Sequence, residues 1–207
     1  KLLADIGVES ELKIIKTQGD KIQHLTFDKL EGKGFFTKEI EDCLLRGDIH
    51  LAVHSMKDLP TNSPKGLCIT AVSYRANPAD TLVIRKDSVE QRVLKVKEGG
   101  VVGTSSARRK AQILDFRPDL KIKDIRGNVP TRLRKLQEGN FDAILLAAAG
   151  LERLEMDLSP FEIINMNPKE FVPAPAQGVL AFQTQENDFS TRRILKKLHN
   201  SNVSACT

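Results

Sequence analysis

The chain has 207 residues, 32 Lys and Arg against 27 Asp and Glu, and a net charge of +5. That length suits one large or two small α/β domains with real cores, and no apolar run of about 18 residues is present to form a transmembrane helix. Three widely spaced cysteines (Cys43, Cys68 and Cys206) exclude a disulfide framework or a CxxC metal site and fit a reducing cytosol.

The N-terminal KLLADIGVES lacks a signal-peptide pattern. Lys1 to Gly7 reads as the end of a helix, and Glu11 to Lys16 alternates enough for a strand. Gly19 to Gly34 is polar and charged, the composition of a long mobile loop. Phe35 to Arg46 is an amphipathic helix that Gly47 ends. Ile49 to His54 reads as a buried strand, followed by the turn Ser55-Met56-Lys57-Asp58-Leu59-Pro60. Leu67 to Val72 and Thr81 to Ile84 are two further strands, with Arg75-Ala76-Asn77-Pro78 a linker between them.

Val101 to Lys135 holds ten Lys and Arg against three Asp, a local +7, so the rest of the chain sums to −2. A local positive field argues for an anionic ligand. Val101-Val102 reads as a strand and Gly103-Thr104-Ser105-Ser106 as a tight turn. A helix follows, with Ala107, Ala111 and Leu114 on its apolar face, ending before Pro118. Ser105 or Ser106 is its N-cap, and the turn aims N–H groups where an anion binds. Strand Lys121 to Ile125 leads into Arg126-Gly127-Asn128 and a helix opening near Pro130. Ala143 to Ala148 is apolar throughout, as in a parallel strand covered on both faces.

Arg108, Arg109, Arg126 and Arg132 each follow a predicted strand, where ligands of open α/β sheets collect. Arg117, Arg134 and Lys135 read as solvated surface. Past Leu154 the chain is irregular and rich in Pro and Asn. Phe171 to Gly178 resembles a return crossing between domains, Val179 to Thr184 a strand, and Ser190 to His199 a basic helix. Arg46-Gly47-Asp48 and Glu138-Gly139-Asn140 echo each other between helix and strand, which supports two α/β domains of similar build. Two such domains facing across a hinge make a cleft. His24, His50, His54 and His199 form no metal-ligand spacing, so no metal is expected. With no Trp and one Tyr, nucleic-acid binding by base stacking is disfavoured.

Lys57-Asp58 admits two readings. One is a turn aspartate bonding its own backbone beside an exposed lysine. The other is a carboxylate placed to stabilise a cation or move protons opposite the arginines. Spacing does not choose between them.

Six segments together are similar to the porphobilinogen deaminase (hydroxymethylbilane synthase) family. They are GKGFFTKEIE (32–41), DIHLAVHSMKDLP (48–60), VGTSSARRKAQ (102–112), IRGNVPTRLRKL (125–136), DAILLAAAGLERL (142–154) and PAPAQG (173–178). The resemblance implies two periplasmic-binding-protein-like α/β domains and a small α+β third domain. The expected partition is 1–76 with 176–200, then 77–175, with 201–207 beginning the third domain. It implies a cytoplasmic, monomeric transferase of tetrapyrrole biosynthesis that joins four porphobilinogen units head to tail with loss of ammonia. A dipyrromethane cofactor is expected, held by a cysteine in a GGC motif that this sequence lacks; Cys206 is not in that context. The family's opening strand and GTRxSxLA segment are also not among these residues, so the chain is expected to be a fragment.

By the same resemblance Asp58 is the catalytic carboxylate. Lys57, Arg108, Arg109, Arg126, Arg132 and Arg153 bind acetate and propionate groups, and Ser55, Thr104, Ser105 and Ser106 add donors. Phe36 sits at the mouth of the site, and Gly127 and Gln177 complete the expected contacts. The competing class is a non-catalytic two-domain anion-binding module, a solute receptor or effector domain, with no use for Asp58. Neither nucleic acid nor membrane is an expected partner.

Overall fold

The computed structural model describes residues 1–15, 17 and 37–207. Phe36 and the polar stretch Gly19 to Gly34 lie outside the described residues. The chain divides into two compact units. One comprises the described residues up to Ala76 together with Val179–Thr207, the other Asn77–Gly178.

In the first unit a short helix α1 (Leu2–Asp5) is followed by residues 8–15 without regular structure. The strand expected from Glu11 therefore does not form, and Leu12 and Ile14 stand exposed. Helix α2 (Lys38–Arg46) leads through Gly47 to β1 (Ala52–Ser55) and β2 (Leu67–Val72). After the second unit come β8 (Leu180–Gln185), α6 (Phe189–Leu195) and α7 (Ser201–Ser204). The sheet order is β1-β8-β2, antiparallel throughout. Leu44, Ala52 and Leu67 pack in one core cluster, and Ala71, Phe182 and Leu195 in another.

One correction concerns β1. A buried strand from Ile49 to His54 was expected, but β1 spans Ala52–Ser55 at the sheet edge, and its side chains alternate in exposure with Val53 at 53%. An edge strand in a one-sided antiparallel sheet alternates because only one face meets a core.

The second unit is built on β3 (Asp80–Arg85), β4 (Val101–Gly103), α3 (Ala107–Phe116), β5 (Lys121–Lys123), α4 (Val129–Gln137), β6 (Ala143–Ala147), α5 (Ala148–Arg153) and β7 (Phe161–Asn165). Its sheet order is β5-β4-β6-β3-β7. β4 runs parallel to β5 and β6, and β3 runs antiparallel to β6 and β7. Alternate residues feed two cores. Leu82, Ile84, Ala143 and Leu145 join Ile113 of α3, while Val83, Ile144 and Leu146 join Leu133 and Leu136 of α4. The sheet is thus covered on both faces, which is why β3 and β6 are apolar without alternation. Each fully buried aliphatic side chain contributes about 1.5–3 kcal/mol of transfer free energy.

β7 was read as irregular. Its FEIIN segment is short and flanked by Pro160 and Asn167, and it becomes a strand by pairing Ile163 and Ile164 with Val83 and Leu82.

The echo between Gly47 and Gly139 is structural. Gly47 N donates to Leu44 O and Asp48 N to Cys43 O; Gly139 N donates to Leu136 O and Asn140 N to Lys135 O. Both helices therefore end in the same glycine-centred motif.

Candidate functional site

Two turns of the second unit carry most of the candidate residues. Both leave the C-terminal ends of parallel strands, β4 and β5. The first is Thr104-Ser105-Ser106. Thr104 is buried, and its Oγ1 accepts from Ser106 N at 3.2 Å. Ser105 Oγ donates to Ile125 O at 2.9 Å and accepts from Ile125 N at 3.1 Å, tying the first turn to the second. Ser106 is the N-cap of α3 and accepts from Arg109 N at 3.4 Å.

The second turn is Arg126-Gly127-Asn128. Gly127 has φ +109, and a Cβ there would lie 2.7 Å from Thr131 Cγ2, so only glycine fits the turn without displacement. Asn128 caps α4 by accepting from Thr131 N at 3.0 Å. Arg132 Nε donates to Gly127 O at 2.7 Å. Lys135 Nζ donates to Arg126 O at 3.1 Å. Lys135, expected on a solvated face, instead braces the turn that presents Arg126.

The adjacent arginines divide their tasks. Arg108 keeps 25% of its side chain exposed; its Nη2 donates to Asp80 Oδ2 at 2.7 Å and its Nη1 to Val172 O. Arg109 is buried, donating through Nε and Nη2 to Asp80 Oδ1 at 3.1 and 2.6 Å and through Nη1 to Leu145 O at 3.0 Å. This corrects the expected apolar face of α3, of whose three expected residues Leu114 packs against the core. Ala107 and Ala111 are exposed, and Arg109 and Ile113 point inward, because Asp80 supplies a buried counter-charge.

Asp80 is the residue that sequence reasoning missed. The available signal was an aspartate opening the apolar run TLVI, a place where a charge is buried only with a partner. Burial pushes its carboxyl up, but the Arg109 charge and hydrogen bonds from Arg109, Gln177 and Arg108 hold it below the usual carboxylate range.

Gln177 is buried, its Nε2 donating to Pro78 O at 2.7 Å and Asp80 Oδ1 at 3.0 Å. Arg153 closes α5, and its Nη2 donates to Gly178 O at 2.6 Å. Arg134 is exposed, 3.8 Å from Glu138. Arg117, expected on the surface, is buried: it grips Asp119 with two 2.7 Å bonds and donates to the carbonyls of Val93 and Val96.

In the first unit β1 ends at Ser55, and a single 3-10 turn, Met56–Asp58, follows. Met56 N donates to Val179 O at 3.0 Å, which anchors the turn. Ser55 and Asp58 are exposed and Lys57 half-buried. Behind the turn a buried polar chain runs from His54 Nε2 to Gln183 Oε1 at 3.1 Å, from Gln183 Nε2 to Glu41 Oε1 at 3.1 Å, and from Thr37 Oγ1 to Glu41 Oε2 at 3.3 Å. Ser55, Lys57 and Asp58 thus belong to the first unit. The arginines, Thr104, Ser105, Ser106, Gly127 and Gln177 belong to the second.

A family model described as "Porphobilinogen deaminase, dipyromethane cofactor binding domain" matches residues 1–193. The chain belongs to the porphobilinogen deaminase family. It is 44% identical over 201 residues to a porphobilinogen deaminase of Chloroherpeton thalassium, covering 97% of this chain and 62% of that protein. It is 49% identical over 185 residues to one of Phenylobacterium zucineum, covering 89% of this chain and 56% of that protein. The chain therefore spans less than two thirds of these relatives' length.

Among solved structures, an ancestral arginine-binding protein bound to arginine aligns with TM-score 0.50 and 16% identity, over 95% of this chain and 76% of that one. The probable amino-acid ABC transporter extracellular-binding protein YtmK of Bacillus subtilis aligns with TM-score 0.50 and 13% identity, over 78% and 68%. At such identities the likeness shows the fold alone, a two-domain periplasmic-binding-protein-like architecture.

The family's cofactor is dipyrromethane. Its acetate and propionate groups need several cationic and N–H donors held by a scaffold. The two turns joined through Ser105, with the half-exposed side chains of Arg126 on the second and of Arg108 and Arg132 in the helices they open, fit that requirement. Among the described residues no helix is long and apolar enough to cross a membrane, and no cluster of three or more His, Cys, Asp or Glu is arranged to hold a metal.

Proposed function

We propose that the polypeptide containing this chain is a transferase that joins porphobilinogen units head to tail, releases one ammonia per unit and yields hydroxymethylbilane. The observation that carries the reading is the pair of turns at the ends of β4 and β5, coupled through the two Ser105–Ile125 hydrogen bonds, with Arg126 on the second turn and Arg108 and Arg132 in the helices that follow. Their chemistry suits carboxylates on a planar ring. Each charge-assisted hydrogen bond contributes about 1.5–3 kcal/mol. Arg109 acts first on Asp80. Lys57, Arg153 and the hydroxyls of Ser55, Thr104, Ser105 and Ser106 belong to the same proposed set, as do Gly127, Gln177 and Phe36.

Asp58 is the proposed catalytic carboxylate. When ammonia leaves the aminomethyl carbon, the C–N bond breaks and the pyrrole becomes cationic. The Asp58 side chain, accepting the ring N–H, stabilises that charge. A C–C bond then forms to the next ring's free α carbon, and that carbon loses its proton. Dipyrromethane, when bound, supplies the pyrrole carbon on which the chain grows. The three cysteines are free, which supports a reducing cytosol, and we place the enzyme there as a monomer acting on small molecules.

The test is Asp58→Asn in the complete polypeptide, with cofactor loading checked by intact mass. Turnover of porphobilinogen is expected to fall by about 10²–10⁴, with binding affected less. Turnover within a few-fold of wild type removes Asp58 from the reaction, whereas binding of porphobilinogen with no turnover by the loaded wild type favours the non-catalytic anion-binding module.

A further inference from the structure

Asp80 stands at the first position of β3 with its side chain fully buried, at 0% exposure. Its backbone is fixed by pairing opposite Ala147 and by its carbonyl, which accepts from Met166 N at 2.9 Å. Its Oδ1 takes Arg109 Nη2 at 2.6 Å, Arg109 Nε at 3.1 Å and Gln177 Nε2 at 3.0 Å. Its Oδ2 takes Arg108 Nη2 at 2.7 Å. One carboxylate thus holds three residues of the proposed site: both arginines of the first turn and the glutamine that precedes Gly178.

A buried carboxylate without partners is strongly unfavourable, and here two guanidiniums and an amide satisfy it. The exchange works in both directions. Arg108 is held at Nη2 by Asp80 and at Nη1 by the Val172 carbonyl, and it lies 6.0 Å from the Phe171 ring centre. An arginine anchored in this way has lost its rotamer freedom on folding rather than on each binding event, which is the gain that preorganisation gives. Asp80 with Arg108 and Arg109 sums to +1, so the trio still attracts an anion.

We propose that Asp80 is a positioning residue of the anion site, holding Arg108 ready for a pyrrole carboxylate through one oxygen and fixing Arg109 and Gln177 through the other. This rests on the reading of Arg108 as a ligand-binding group. The Arg117–Asp119 pair supplies a control, because it is a two-bond arginine–carboxylate contact in the same unit that touches none of the proposed site.

The experiment is calorimetric titration of porphobilinogen into the complete polypeptide, together with thermal unfolding, for the wild type, Arg108→Ala, Asp80→Asn, the double variant and Asp119→Asn. Arg108→Ala is expected to weaken binding roughly ten- to a hundredfold. Asp80→Asn should weaken it by a similar factor, and the double variant by no more than the larger single effect, since both changes remove one ordered donor. Asp119→Asn should lower the unfolding temperature and leave the dissociation constant unchanged. Wild-type binding by folded Asp80→Asn, or full additivity with Arg108→Ala, overturns the proposal while leaving the function intact. Wild-type binding by Arg108→Ala overturns the arginine reading, and this proposal with it. If Asp80→Asn does not fold, nitrogen NMR of the wild type decides. Separately resolved, slowly rotating guanidinium signals for Arg108 and Arg109 before any pyrrole is added are expected, and averaged signals overturn the proposal.

Discussion

His54 in the first unit and Asp80 in the second are buried titratable residues with shifted pKa values, and each leaves a pH signature. His54 is neutral. Burial pushes its pKa down, against the Gln183 hydrogen bond and the Glu41 charge, which push it up. The polar chain also fixes its tautomer. Gln183 gives its amide N–H to Glu41, so its oxygen must accept from His54, and the ring proton sits on Nε2. Because the folded pKa lies below the unfolded value of about 6.5, the unfolded state binds the extra proton first as pH falls. Stability is therefore fully present above about pH 6.5 and declines below it until the folded pKa is passed. Urea midpoints between pH 7.5 and 5.5 should show that decline, and His54→Gln should flatten it. An equal slope in the variant would assign the effect elsewhere. Asp80 acts in a lower window. Its folded pKa is depressed, so its contribution is present above the unfolded value of about 3.9 and is lost as pH falls through the folded one. Neither residue's partners were legible beforehand. The partners of His54 are 13 and 129 positions away in sequence, and nothing local in HSMKD names Glu41 or Gln183.

At the level of elements, what could be read depended on whether the deciding contact was local. The opening of α4 was legible because Asn128 and Pro130 are local start signals, and the structure places them at the N-cap and in the first turn. Asn128→Ala removes the bond to Thr131 N and should destabilise by about 1 kcal/mol. Gly127→Ala should cost more, about 1–3 kcal/mol, because it adds a strained φ of +109 to a close contact with Thr131. Chemical denaturation of the two variants checks the order, and a reversed order would mean that the turn relaxes freely. The inward face of α3 was not legible from periodicity. Alanines there look apolar and arginine looks polar, and only Asp80, 29 positions before Arg109, reverses them. The same reasoning covers β7, which is a strand by virtue of β3, and residues 11–15, whose alternation found no strand to pair with among the described residues.

For the whole molecule, the fold class, the family and the position of the arginine turns were legible because short motifs carry them. The division into units rests on contacts that only the folded chain displays. Among the described residues the chain passes between the units at Ala76–Asn77 and at Gly178–Val179. Asn77–Gly178 is one continuous segment with a five-stranded sheet, a core on each sheet face and the whole Asp80 cluster inside it. The first unit is assembled from separated segments and needs β8, from beyond the second unit, between β1 and β2. An excised Asn77–Gly178 fragment should therefore unfold cooperatively with heat. A fragment made of the first unit's leading segment alone should not, since removing β8 leaves β1 and β2 without a partner. The excised second unit should also retain weak affinity for porphobilinogen, with NMR shifts at Arg108 and Arg126. Arg134→Ala should leave that affinity unchanged, because Arg134 is exposed and 3.8 Å from Glu138. A gradual, non-cooperative melt of Asn77–Gly178 would show that its two cores do not suffice without the first unit. Equal loss from Arg134→Ala and Arg126→Ala would show that diffuse positive charge, rather than the turns at the ends of β4 and β5, attracts the ligand.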